Sequence, residues 1–215
     1  MKIKNLVKKL NVILFLCITF VSFAQTDSNK LSFLFSSLAE NKVTSGNFIQ
    51  EKSSPKLKRP LKSSGIFIFC EEGVLWKTLK PFPSTMALTK TSMIQTKADG
   101  TKVVTDGSSN AVFQSVAATL SSLFAGNQND LESYFIIEEF TSNSSGWKIS
   151  LKPKDSTIGQ ALTKIELSGS IENSKNFYSL DSMKIIQTQG ESTSYTLSNK
   201  TYRQELSDEE KNLFK

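Results

Sequence analysis

The chain contains no histidine, so the groups left for chemistry are two cysteines, scattered carboxylates and an abundance of serine and lysine. Ser-His-Asp and Cys-His nucleophile pairs are excluded, as is every histidine metal site, and acid–base work falls to carboxylates or lysine. Two Ser-x-x-Lys spacings exist, Ser53 with Lys56 and Ser145 with Lys148, and a lysine-activated serine can support acyl transfer. One contains Pro55 and the other lies beside Gly146, so both read as loop or turn segments in which a short match arises by chance. Cys70 has no histidine to draw off its proton and reads as a small apolar residue in a strand. Asp99, Asp106 and Asp181 are the candidates for a glycosidase-type carboxylate pair, which needs its members about 5–10 Å apart. Asp99 and Asp106 each precede a glycine, which is ordinary turn chemistry. These residue types argue against an enzyme, and what remains to be read is the apolar framework.

That framework is preceded by a leader. Lys2, Lys4, Lys8 and Lys9 form a basic segment, Val12 to Phe23 is an apolar run, and Ser22-Phe23-Ala24 places small residues where a signal peptidase cuts. The run is too short for a permanent span, which needs about 20 residues. Residues 1–24 therefore read as a signal peptide, cleaved near Ala24-Gln25, that delivers a single domain of residues 25–215 to the periplasm. Cys17 invites a lipoprotein reading, but Phe15-Leu16 before it is too bulky for that processing site, and Cys17 leaves with the leader. The net charge is +6 for the whole chain and about +2 once the four leader lysines are set aside. The densest basic cluster of the mature chain, Lys56, Lys58, Arg59 and Lys62, lies in a Pro-bounded stretch and reads as a solvated loop, without the Lys/Arg stripe of a nucleic-acid binder. With only Cys70 retained, no intramolecular disulfide is available, and a core must hold the fold alone.

Apolar periodicity supplies that core. Asp27 or Ser28 can cap a helix on which Leu31, Leu34, Phe35 and Leu38 recur at helical spacing to about Asn41. Val43–Gln50 and Gly65–Cys70 then read as strands, the second apolar on both faces and so covered on both. Turn residues divide Val74–Lys77, Thr85–Thr89, Met93–Thr96 and Lys102–Thr105 into a meander. Helical spacing returns over Asn110–Phe124, in a stretch with small residues at Ala117, Ala118, Ser121 and Ser122, and a short helical segment follows to Leu131. Strands resume at Phe135–Phe140, Trp147–Leu151, Leu162–Gly169, Phe177–Gln187 and Ser192–Leu197, before a polar tail in which Phe214 can dock. About ten antiparallel strands in one sheet curl under their own twist, and the helices must lid the concave face. Fifteen Phe against two Trp and four Tyr suit an interior that is greasy without hydrogen-bonding demands, whether that interior is a ligand cavity or a filled core.

The order of a helix, Val43-Thr-Ser-Gly-Asn-Phe48-Ile-Gln50, a basic linker, Ser64-Gly65-Ile-Phe-Ile-Phe69, then Leu75-Trp76 and Pro81 resembles the LolA family of outer-membrane lipoprotein carriers. The match is densest from Glu40 to Leu88. The resemblance implies a mainly β fold with helices (α+β), in which a strongly curved antiparallel sheet forms an incomplete β-barrel under a helical lid. It also implies a monomeric, non-enzymatic carrier without cofactors that shelters acyl chains of lipoproteins or lipids, takes cargo from an inner-membrane transporter and passes it to an outer-membrane acceptor of similar fold. The residues so implied for lipid contact are Phe48, Phe67, Phe69, Val74, Leu75, Trp76, Phe82, Met86, Phe113, Val116 and Leu120. The family's Arg-Pro pair ahead of the Trp strand, whose arginine latches the lid, is replaced by Glu71-Glu72, and the Asp-Gly turn after the third strand by Lys90-Thr91-Ser92. Such departures resemble a divergent branch that serves membrane exporters or aryl-polyene biosynthesis with another acylated cargo. A non-lipid interaction module filled by phenylalanine is the competing expectation.

Overall fold

Eleven strands form one antiparallel sheet in the order β6-β5-β4-β3-β2-β1-β13-β12-β9-β8-β7. The computed structural model describes residues 22–89, 91–97, 99–106, 111–172 and 177–215. The first meander comprises β1 (Val43–Ser53), β2 (Leu61–Cys70), β3 (Gly73–Lys80), β4 (Ser84–Leu88), β5 (Ser92–Thr96) and β6 (Lys102–Asp106). Two helices follow, α2 (Ala111–Phe124) and α3 (Gln128–Tyr134). The second meander is β7 (Phe135–Asn143), β8 (Gly146–Pro153), β9 (Leu162–Gly169), β12 (Ser182–Gln187) and β13 (Ser192–Arg203), with a one-turn helix α4 (Ser156–Gly159) between β8 and β9. A two-stranded ribbon, β10 (Ile171–Glu172) with β11 (Phe177–Tyr178), interrupts it. An N-terminal helix α1 (Ser22–Ala39) and a C-terminal helix α5 (Asp208–Leu213) complete the chain.

The expected helices and strands are present, with corrections. Helix α1 is already under way at Ser22, so Asp27 and Ser28 lie inside it rather than capping it; helical backbone ahead of them supplies the carbonyls that a cap would replace. The basic segment of the leader lies outside the described residues, as do Asn110 and Lys90. The expected strand Phe177–Gln187 is broken at Ser179–Asp181, where Trp147 Nε1 donates to the Ser179 carbonyl at 3.1 Å and Lys200 grips Asp181.

Both faces of β2 and β3 are covered towards the Cys70–Gly73 turn, as the apolar run in β2 requires. Alternate residues point to opposite faces of a strand. Phe67 and Phe69 join the main core with Phe48, Val74 and Trp76 beneath α1 and α2, together with residues of β7, β8, β9, β12 and β13. A flat sheet of eleven strands would be about 48 Å wide. One pair of helices sharing a core with nearly all of it means that the sheet is curled around them. The edge strands β6 and β7 do not pair with each other, so the barrel is incomplete. On the outer face Ile68, Cys70, Leu75, Ala87 and Ile94 form a second cluster under Leu206, Leu213 and Phe214 of the tail. The tail is fastened there by a capping box at Ser207, by Arg203 donating to both Glu210 carboxylate oxygens at 3.0 and 2.8 Å, and by Lys102 Nζ donating to the Asn212 and Lys215 carbonyls.

Close approach fixes two glycines in this region. A Cβ at Gly65 would stand 2.0 Å from the Lys77 carbonyl oxygen, beside the register shift between β2 and β3. Gly73 has φ +145° and would meet the Leu88 carbonyl oxygen at 1.9 Å. The register shift at Gly65 is a bulge, which bends its strand and raises the local twist.

Candidate functional site

A cleft of about 280 Å³ opens between α2 and the inner face of the sheet. Its apolar wall comes from Trp76 on β3, Met86 on β4, Ile185 on β12 and Val112, Phe113 and Val116 on α2. Register places the strand residues together: Trp76 is opposite Met86, and Ile185 is opposite Thr193, which is opposite Lys52. Helical spacing does the same for Val112, Phe113 and Val116, which share one face of α2. The mouth is polar, formed by Gln50, Lys52, Gln187 and Thr193. These side chains sit towards the ends of β1, β12 and β13, Lys52 exposed and Thr193 buried.

The mouth is electrostatically quiet. Lys52 lies 3.6 Å from Glu191, and Gln50 Oε1 accepts from Ser63 Oγ at 2.8 Å. Inside, Tyr195 stacks at a tilt on Trp76, ring centroids 5.5 Å apart, and meets Phe48 edge-on at 6.1 Å. Burial pushes the Tyr195 phenol up to about 12, so it stays neutral and can donate a hydrogen bond at neutral pH. The indole Nε1 of Trp76 is buried with no hydrogen-bond partner among the described residues. The volume stands just below the usual range of ligand pockets, about 300–1,000 Å³. It admits the end of a narrow chain, and a larger cargo requires the helices to move.

The helices are held chiefly by apolar packing. Ser37 Oγ of α1 accepts from the Tyr178 backbone N–H at 3.0 Å, Ser32 of α1 donates to Gln128 at 3.2 Å, and Ser122 of α2 donates to Asp130 of α3 at 2.7 Å. Glu71 and Glu72 form the exposed β2–β3 turn. A second, smaller cleft of about 150 Å³ lies beside the small residues Ala117, Ala118 and Ser121 of α2.

Of the residues expected to contact lipid, Trp76, Met86, Phe113 and Val116 line the cleft. Phe48, Phe67, Phe69, Val74 and Leu120 lie deeper in the same core. Leu75 is corrected: it belongs to the outer cluster under the tail, because neighbours of Val74 and Trp76 on a strand must face the other way. Phe82 is also corrected, being 81% exposed in the turn between β3 and β4, where Pro81 and Pro83 end the strand pairing. Sequence reasoning missed Gln50, Lys52, Ile185, Gln187, Thr193 and Tyr195. The alternation Thr193, Tyr195, Leu197 along β13 was the available signal.

The candidate chemistry is not assembled. Burial pushes the Cys70 thiol up to about 12, with Glu72 adding to it, so it is no thiolate nucleophile. Asp99 is a turn acceptor for the Thr101 N–H at 2.9 Å. Burial raises the Asp181 carboxyl, but hydrogen bonds from Lys200 and Ser179 outweigh it and hold the group below the usual carboxylate range. Among the described residues no group of three or more Cys, Asp or Glu could hold a metal ion, and no helix is long and apolar enough to cross a membrane.

A family model described as "Outer membrane lipoprotein carrier protein LolA" matches residues 39–215. No curated protein matches the chain. Among solved structures, a DUF1329 family protein from Desulfovibrio piger aligns at 13% identity and TM-score 0.49, covering 83% of this chain and 93% of its own. A putative outer membrane lipoprotein-sorting protein domain from Vibrio parahaemolyticus aligns at 12% and 0.49, covering 86% and 97%. A LolA superfamily protein from Nitrosomonas europaea aligns at 9% and 0.44, covering 85% and 96%.

Proposed function

The chain belongs to the LolA family, and on that premise we propose that it is a periplasmic carrier that shelters acyl chains of lipoproteins or related lipids and shuttles them from the inner to the outer membrane. The observation that carries this reading is the cleft between α2 and the sheet, apolar within and polar at its mouth, at the centre of a curled sheet whose edges do not close. Each methylene removed from water contributes about 0.8 kcal/mol, and ordering the chain and displacing α2 offset much of it. A carrier needs that balance, because it must also release its cargo.

The leader directs export and is cut near Ala24-Gln25, which trims the start of α1 and leaves Asp27 and Ser28 near its new N-terminus. An inner-membrane transporter loads the carrier, and an outer-membrane acceptor of similar fold unloads it. The Glu71-Glu72 turn removes the family's arginine latch, so apolar packing of α1 and α2 holds the lid.

Native mass spectrometry with lipid extraction on processed protein from its own periplasm tests the reading, beside Val116→Glu, which places a charge in the apolar wall. An acylated species on the wild type and none on a folded Val116→Glu supports a carrier and identifies its cargo. A wild type that is empty and binds no acyl probe supports the filled-core interaction module instead.

A further inference from the structure

Trp76 and Trp147 are the two tryptophans of the chain, and both are buried, with 4% and 3% of their surface exposed. Trp147 Nε1 donates to the Ser179 carbonyl at 3.1 Å, while Trp76 Nε1 has no acceptor among the described residues. Buried polar groups in folded proteins are nearly always paired, and leaving a buried donor unmade is expensive. Trp76 is also part of the cleft wall, and its Nε1 is closed to solvent there, so an acceptor reaches it as cargo displaces the helices. We propose that the cleft holds its cargo by an acyl carbonyl, of an ester or an amide, which accepts a hydrogen bond from Trp76 Nε1; this rests on the carrier reading above.

Three observations define that acceptor. Tyr195, in contact with Trp76 at 5.5 Å between ring centroids, lines the same cleft, so the cleft holds a second potential donor. The wall around them is apolar, and a charge buried there would have to be paired. Among the described residues that line the cleft Lys52 is the one cation, and Glu191 lies 3.6 Å from it. The acceptor is therefore neutral, which selects an acyl ester or amide over a free fatty carboxylate. Beyond the carbonyl, the hydrocarbon lies along Met86, Phe113 and Val116.

Three probes of equal chain length separate carbonyl recognition from simple burial of hydrocarbon: 1-monopalmitoylglycerol (ester), N-palmitoylethanolamine (amide) and 1-O-hexadecylglycerol (ether). The leaderless wild type binds the ester or the amide about tenfold tighter than the ether, the equivalent of one net hydrogen bond. Trp76→Phe removes that preference, read as the ratio of carbonyl to ether affinity within the variant, and its circular dichroism melt reports that the variant folds. In the wild type the carbonyl probe moves the Trp76 indole N–H resonance downfield and leaves Trp147 in place, and the ether moves neither downfield. Which carbonyl probe is preferred distinguishes an ester-linked from an amide-linked chain. Equal binding of all three with an unmoved Trp76 indole overturns carbonyl recognition and leaves the carrier reading standing. Binding of none overturns both.

Discussion

Removing the Phe214 ring tests whether the tail is a structural cover for the outer face of the first meander. Phe214 is buried against Ile68, Cys70, Leu75, Ala87 and Ile94 together with Leu206 and Leu213. Phe→Ala in a core costs about 3–5 kcal/mol; at a chain end, where neighbours collapse into the gap, about 2–3 kcal/mol is the appropriate scale. In protein made without residues 1–24 Cys70 is the one cysteine and reports the change directly. It is buried under the tail with its thiol pushed up to about 12, whereas an undocked tail exposes an ordinary thiol near 8.5. Labelling by a thiol reagent at pH 8 then follows the population with the tail undocked. Weakening the docked state by 2–3 kcal/mol raises the labelling rate about 30- to 150-fold. A global loss of the same size lowers Tm by about 2–4 °C per kcal/mol at this chain length. Local undocking predicts a labelling gain larger than the Tm drop accounts for. Wild-type labelling by Phe214→Ala, or a gain fully matched by loss of global stability, would refute the covering role.

Other perturbations follow from the same geometry. Gly65→Val drives a side chain into the Lys77 carbonyl, and circular dichroism melts should show a drop of several degrees or failure to fold. Phe82→Ser, at an exposed turn, should stay within about 0.5 kcal/mol of wild type in urea unfolding. The Asp181 carboxyl is held below its ordinary value in the fold, so its contribution is complete above the unfolded value of about 3.9 and lost as pH falls through the folded value. Stability should be level from about pH 5 to 7 on this account and decline below about pH 4; Asp181→Asn should lower Tm at pH 7 and flatten that decline.

Much of the fold was legible because period and punctuation agreed. Leu31, Leu34, Phe35 and Leu38 mark the buried face of α1, and the apolar run in β2 foretells two covers, of which the second is the tail. Parity was available but unused: Val74, Leu75 and Trp76 are consecutive on one strand, and three consecutive residues cannot all face one cavity. The break at Ser179–Asp181 was not legible, since it depends on Trp147 and Lys200 reaching it from elsewhere in the chain. The polar mouth of the cleft was hidden for a similar reason. Gln50, Gln187 and Thr193 come from three strands, and only the register of β1 on β13 on β12 brings them together.

The seam of the sheet also has a temporal meaning. Its two meanders join only where β1 pairs with β13, from Val43 opposite Arg203 to Ser53 opposite Ser192. The first strand to emerge from a ribosome must wait for the last. Until then each half exposes an unpaired edge and half of a core, and contacts so distant in sequence form slowly. A chain wired in this way can aggregate if the waiting half meets another copy.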